Sequence, residues 1–218
     1  MSKRPQKSSR PVKKLAARPS TSARNRTIAL FAAFTAGAAI LVAAVSLLLP
    51  SAPPQGITSS TSVGGPFQLV DQNGVTVTQA DLKGKPTLIF FGFTHCPDVC
   101  PTSLFEMSEI FAALGPDADK AQSFFVSVDP ERDTPEVMHS YLSSFAPQLR
   151  GLSGTPEEVE NIKRLYRVYA RKVPLEDGDY TMDHTATIYL MDKTGSFAGP
   201  FNAKRPPKEA AQDLRRYF

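Results

Sequence analysis

Both cysteines of this 218-residue chain, Cys96 and Cys100, fall within one short stretch, FFGFTHCPDVCP at 90–101. Thiols are its strongest nucleophiles and softest metal donors, so the pair restricts the chemistry to three options. They are a structural disulfide, a thiol–disulfide redox couple and a metal site. A bridge across three intervening residues removes little entropy from the unfolded chain, which disfavours a purely structural disulfide. Thiol oxidoreductases mostly place two residues between their cysteines, and this chain places three. If Pro97 to Cys100 enter a helical turn, an i, i+4 pair projects to one side and can clamp one soft ion. Two donors seldom complete a metal site, so a third is expected elsewhere.

The chain has three histidines. His95 adjoins Cys96, and neighbours along extended backbone point to opposite faces, which makes it a poor co-ligand. His139 sits among Val137, Ser140 and Tyr141 in a helical pattern and reads as a helix-surface residue. His184, in YTMDHTATIYL, follows the polar loop 176–179 and precedes an apolar strand. Spacing alone leaves it either a ligand or an ordinary hydrogen-bonded histidine. Two thiolates and an imidazole would suit copper best, thiolate selecting Cu(I) and imidazole accommodating Cu(II) or zinc.

Several neighbours carry two readings each. Asp98, between the cysteines, either tunes the thiols or is an acidic residue near a helix N-terminus. Asp183 either orients the His184 ring or caps the start of the strand. Asp129, Glu131, Arg132 and Asp133, in SVDPERDTP, form a partner-docking rim or a turn with a helix cap, the turn being preferred. Met182 is a soft sulfur near His184, though methionine more often fills gaps in a core.

The elements that must position these residues alternate between strand and helix. FQLVDQNGVTVT reads as a hairpin turning at Asn73-Gly74, and 86–93 as a strand buried on both faces. Helical spacing follows over 99–114, then a second buried strand at 124–128. Thr134-Pro135-Glu136 and Thr155-Pro156-Glu157-Glu158 open helices running to about 145 and 169. A late hairpin (185–191 and 196–201) and a last helix (206–217) complete an α/β pattern with a mixed sheet. The cysteines fall where the first buried strand ends and a helix begins, the edge of an α/β sheet that binds ligands. Helix N-terminal amides there favour thiolate character.

The formal charge of +4 is the sum of two opposite regions. Residues 1–27 hold nine Lys/Arg and no acid, and the remainder holds 16 basic and 21 acidic residues, a net of −5. An acidic folded part excludes nucleic acid as partner. Residues 28–49 are 22 positions without a charge, enough for a helix of about 33 Å across a hydrocarbon core of about 30 Å. The run is too long for an ordinary signal peptide, so a retained transmembrane anchor is expected, with the basic tail on the cytoplasmic side. Residues 50–65, with twelve Pro, Gly, Ser or Thr among sixteen, read as a flexible linker to a domain at 66–218. That domain is expected on the oxidising side of a bacterial inner membrane, in the periplasm. The alternative is a mitochondrial inner membrane, facing the intermembrane space.

CPDVCP at 96–101, SVDPERDTP at 127–135 and DHTATIYL at 183–190 resemble the three signature blocks of the Sco/SenC family. Its members are membrane-anchored, copper-binding assembly proteins of cytochrome c oxidase. The resemblance implies a thioredoxin-like fold, a mixed central sheet flanked by helices, preceded by one transmembrane helix. It implies that Cys96, Cys100 and His184 bind one copper, as Cu(I) or Cu(II). Delivery to the CuA site of cytochrome c oxidase subunit II would follow, with an upstream copper donor and a thiol reductant as further partners. The alternative it implies is a thiol–disulfide reductase, with Cys96 and Cys100 as redox dithiol keeping the CuA-site cysteines reduced, or a redox sensor. Thr94-x-Cys96 faintly resembles peroxiredoxins, but the paired cysteines and distant histidine argue against a peroxidase.

Overall fold

In the computed structural model, which describes Gly37, residues 63–176 and residues 178–218, the apolar run after Pro86 is a strand, β3 (Thr87–Gly92). All six of its residues are buried, as expected for a strand covered on both faces. Strand β4 (Gln122–Ser127) pairs with it in parallel, Thr87 opposite Gln122 and Gly92 opposite Ser127. Strand β5 (Leu149–Ser153) lies parallel to β4, and β1 (Gln68–Asp71) pairs antiparallel with β5. Strand β2 (Thr76–Thr78) closes the expected hairpin with β1, and Gly74 takes the positive φ of 77° that the turn needs. On the other side β8 (Ile188–Met191) runs antiparallel to β3, and β9 (Phe197–Phe201) antiparallel to β8. The order β2-β1-β5-β4-β3-β8-β9 is a mixed seven-stranded sheet.

Helix α1 (Val99–Leu114) has the bounds that the spacing predicts and buries Cys100, Leu104, Met107, Ile110, Phe111 and Leu114. Helix α2 (Pro135–Leu142) is capped by Thr134, whose side chain accepts from the Val137 amide. Helix α3 (Pro156–Tyr166) opens with a capping box between Thr155 and Glu158. Helix α4 (Pro207–Arg215) ends the chain's regular structure. Helices α2 and α3 stop three residues before the expected ends, and Arg167 terminates α3 in the left-handed region at φ 57°. At Gly151 an added Cβ would stand 2.7 Å from Leu142 and 2.8 Å from Met138, so α2 lies directly on β5. The architecture is a mixed α/β, thioredoxin-like fold.

Three strands depart from the expectation. Strand β5 reads LRGLS, a sequence of low strand preference that is buried because β1 and β4 flank it. Strands β6 (Ala170–Pro174) and β7 (Tyr180–His184) form a separate two-stranded sheet, Ala170 opposite His184, where a loop is expected. Only Met182 among their ten residues is buried, so they lack the apolar alternation that marks a strand. His184 therefore ends a strand, and the strand expected from 185 begins at Ile188.

Residue contacts divide the chain into Met1–Thr58 and Ser59–Phe218, and the elements above all belong to the second unit. The expected cytoplasmic tail and the membrane helix over 28–49 lie outside the described residues, apart from Gly37, as does the linker up to 62. Among the described residues no helix is long and apolar enough to cross a membrane.

Candidate metal centre

The chain leaves β3 at Gly92, turns through Phe93–Asp98 and enters α1, placing Cys96 in the turn and Cys100 in the first helical turn. Both cysteines are free thiols, Cys96 half-buried and Cys100 fully buried. The Cys100 amide, at the helix N-terminus, donates to the Cys96 sulfur at 3.4 Å. Gly92 lets the second sulfur in: a Cβ there would lie 2.7 Å from Cys100 Sγ and 2.6 Å from the Phe125 ring.

His184 arrives from the other side, at the end of β7. Its Nε2 lies 3.6 Å from Cys100 Sγ. Its Nδ1 meets the Thr185 carbonyl at 3.1 Å, an oxygen that can only accept. The proton accordingly sits on Nδ1, and the Nε2 lone pair faces the sulfurs. Phe93 packs edge-on to the imidazole at 5.7 Å and 90°, and Phe90 at 6.3 Å and 67°. The three donor atoms lie within 4.8 Å of one another. Three donors around one ion at metal–ligand distances of about 2.0–2.3 Å stand about 3.5–4 Å apart, so small movements close the set. Two sulfurs and one imidazole nitrogen form the soft donor set that copper prefers.

Burial pushes the Cys100 thiol well above the usual range, outweighing a backbone hydrogen bond at Phe93 that favours the thiolate. The expected helix-induced thiolate character does not extend to this residue. A metal ion must therefore displace its proton.

The other candidates fall into two groups. Asp183 is exposed on β7 opposite Arg171, and the contact to the His184 ring nitrogen comes from the Thr185 carbonyl. Asp98 is exposed at the N-cap of α1, where its side chain makes no capping hydrogen bond. His95 is exposed beside Thr94, 3.1 Å from its hydroxyl, and His139 is exposed on α2. Met182 is buried in the core. Asp129 and Asp133 are buried, at 1% and 0% exposure, which removes both from any docking rim.

Sequence reasoning missed Tyr180 and Tyr141 here, and gave Arg132 only a docking or turn role. Arg132 and Tyr180 join Asp129 in a polar cluster beside the histidine strand. The Tyr141 hydroxyl is buried without a hydrogen-bond partner among the described residues. Burial raises its pKa first, and the nearby Cys100, Cys96 and Asp133 add to the rise. Nothing in the local sequence marks Tyr141 apart from helical spacing.

Fold and site together define a thioredoxin-like domain in which a dithiol and an imidazole converge at the C-terminal edge of the sheet. The SCO1/SenC family model matches residues 55–218. Bradyrhizobium japonicum ScoI, solved with copper bound, is 68% identical, covering 72% of this chain and 100% of that one, with a TM-score of 0.71. The mitochondrial Protein SCO1 homolog 1 of Arabidopsis thaliana is 40% identical over 153 residues, which are 70% of this chain and 45% of that protein. The SCO2-like protein of Rickettsia felis is 36% identical over 185 residues, 82% of this chain and 90% of that protein. The chain belongs to the SCO1/SenC family.

Proposed function

We propose that this chain is a membrane-anchored copper metallochaperone, with Cys96, Cys100 and His184 holding one copper ion for delivery to the CuA site of cytochrome c oxidase subunit II. One observation carries the reading: two sulfurs and His184 Nε2 lie within 4.8 Å of one another. A dithiol reductase has no use for that imidazole, whereas a carrier of Cu(I) and Cu(II) needs a third donor. Bound copper supplies no reaction here; it is the cargo. Asp98 and Asp183, both exposed and each within two residues of a donor in sequence, are available to a docking partner. An upstream copper donor and a thiol reductant complete the cycle. The layout is a basic tail (1–27), a transmembrane anchor (28–49), a linker (50–65) and the copper-binding domain (66–218). The setting is the periplasmic face of a bacterial inner membrane, or the equivalent mitochondrial space.

Reduction of the CuA-site cysteines is the second reading. Half-buried Cys96, as thiolate, can attack a partner disulfide, and Cys100 behind it can then displace the partner's second thiol, leaving the partner reduced and Cys96 and Cys100 bridged. Copper binding measured on the reduced chain separates the two. One Cu(I) per chain is expected, lost on oxidation or in Cys96→Ser and Cys100→Ser. His184→Ala should weaken Cu(II) binding severely and Cu(I) binding partly, yet leave disulfide reduction intact. Tight copper binding in the double cysteine variant would overturn the site. Normal oxidase assembly by His184→Ala in copper-poor medium, where Cys96→Ser fails, would favour the reductase.

A further inference from the structure

The two halves of the donor set come from pieces of chain that no shared ladder aligns. Strands β6 and β7 hydrogen-bond to each other in their own two-stranded sheet, while Cys100 is fixed to the seven-stranded sheet through β3 and α1. A two-stranded hairpin is marginally stable alone, so contacts outside its ladder must hold His184 in place.

Beside the Phe90 and Phe93 rings against His184 and the hydrogen bonds between Thr185 and Tyr169, a dense polar set of such contacts lies in the segment after β4. Arg132 Nη1 donates to the Tyr180 carbonyl at 2.9 Å, and the Tyr180 hydroxyl donates to Asp129 Oδ1 at 2.9 Å. Arg132 Nε donates to Asp129 Oδ2 at 2.5 Å, and the guanidinium lies 3.7 Å over the Tyr180 ring. The Arg132 and Asp129 side chains are 16% and 0% exposed, so these charge-assisted bonds are shielded from water. Lys172–Glu131, which joins the same two regions, is 44% and 59% exposed and contributes little. The same segment also holds the cysteine turn. Thr94, two residues before Cys96, donates its amide and hydroxyl to Asp133, and the Ser127 hydroxyl donates to Asp133 at 2.6 Å. Arg132 faces Phe93 at 5.9 Å, and Phe93 faces the His184 ring at 5.7 Å.

We propose that 127–133 is a positioning clamp, in which Asp129 and Arg132 grip Tyr180 and so hold the β6–β7 hairpin at the reach that puts His184 Nε2 beside the thiols. Its purpose rests on the copper reading above; its metal-free geometry does not. Arg132 and Tyr180 are positioning residues, remote from the ion itself.

Two measurements on the reduced full-length chain test the clamp. In the metal-free protein, Arg132→Met should raise amide deuterium uptake rates over 170–184 by about tenfold or more, leaving β3 and β4 unchanged. Tyr180→Phe, which keeps the ring and removes one hydroxyl, should move the same peptides less, and Arg132→Lys should restore part of the protection. In the Cu(II)-loaded protein, electron paramagnetic resonance should show the imidazole nitrogen coupling weakened in Arg132→Met while cysteine ligation persists. Cu(II) affinity should fall about 10–100-fold, the usual effect of losing a group that orients a ligand. Wild-type hairpin exchange in both Arg132→Met and Tyr180→Phe would overturn the clamp, as would acceleration spread evenly over the sheet. A wild-type chain lacking imidazole coupling would overturn the copper reading instead, and the deuterium uptake would still decide the clamp.

Discussion

Gly92 shows how finely the donors are fitted, because its missing side chain is the space that Cys100 Sγ occupies. Gly92→Ala would push a methyl to 2.7 Å from that sulfur and 2.6 Å from Phe125. Overpacking of this kind costs about 1–3 kcal/mol. Thermal denaturation should report that loss, and copper titration should show weaker binding even though all three donors remain. A variant with wild-type melting and copper affinity would show that the strand yields freely. The donors themselves were legible because they are rare: two cysteines and three histidines leave few combinations. The residues that hold them were not. Tyr180 and Asp129 are joined by one hydroxyl across 51 positions, and common residue types at such separation carry no local signal. Asp129 did stand out in the sequence, yet as a docking or turn residue, because burial of an acid is a tertiary fact.

At the level of elements, the segment 28–49 carries the most consequential expectation. Its 22 uncharged residues follow nine basic ones, so a single span with the C-terminal domain translocated is the arrangement their charges favour. A reporter active only after export, fused after Phe218, should be active. Activity confined to a cytoplasmic reporter, or a mature N-terminus near Ser51, would end this assignment. Helix α1 was readable from its helical spacing, and strand β3 from a short continuous apolar run that is buried on both faces. Strand β5 was not, because LRGLS becomes a strand only by lying between β1 and β4. The β6–β7 hairpin escaped for the opposite reason: ARKVP is largely exposed, so no apolar face betrays it. The missed hairpin is the element that carries His184, which is why the sequence could offer that imidazole as a candidate donor yet misjudge its support.

Across the whole molecule, an ion pair between buried Asp71 and half-buried Arg150 ties the edge hairpin to the parallel core. Asp71 is 3% exposed, and burial alone would raise its pKa. The Arg150 guanidinium at 2.9 Å and the amides of Val75 and Asn73 reverse that, leaving the carboxyl below its ordinary value. A lowered folded pKa means the contribution is complete above the unfolded pKa of about 4 and is lost as pH falls through the folded value. Asp71→Asn should therefore cost about 2 kcal/mol in chemical denaturation at pH 7, with a shallower decline toward pH 2 than wild type. Equal slopes in acid would remove Asp71 as the cause. The sheet is complete only with β8 beside β3, where Thr87 pairs with Met191. Pairing so distant in sequence slows folding relative to a chain built of local contacts. A slow-folding chain exposed to oxidants usually risks scrambled bridges. With only two cysteines, just one intrachain disulfide is possible, and it would join residues that already lie side by side where the turn enters α1. An oxidised, unfolded chain therefore carries no wrong pairing to undo, and a single reducing event restores the dithiol without an isomerase.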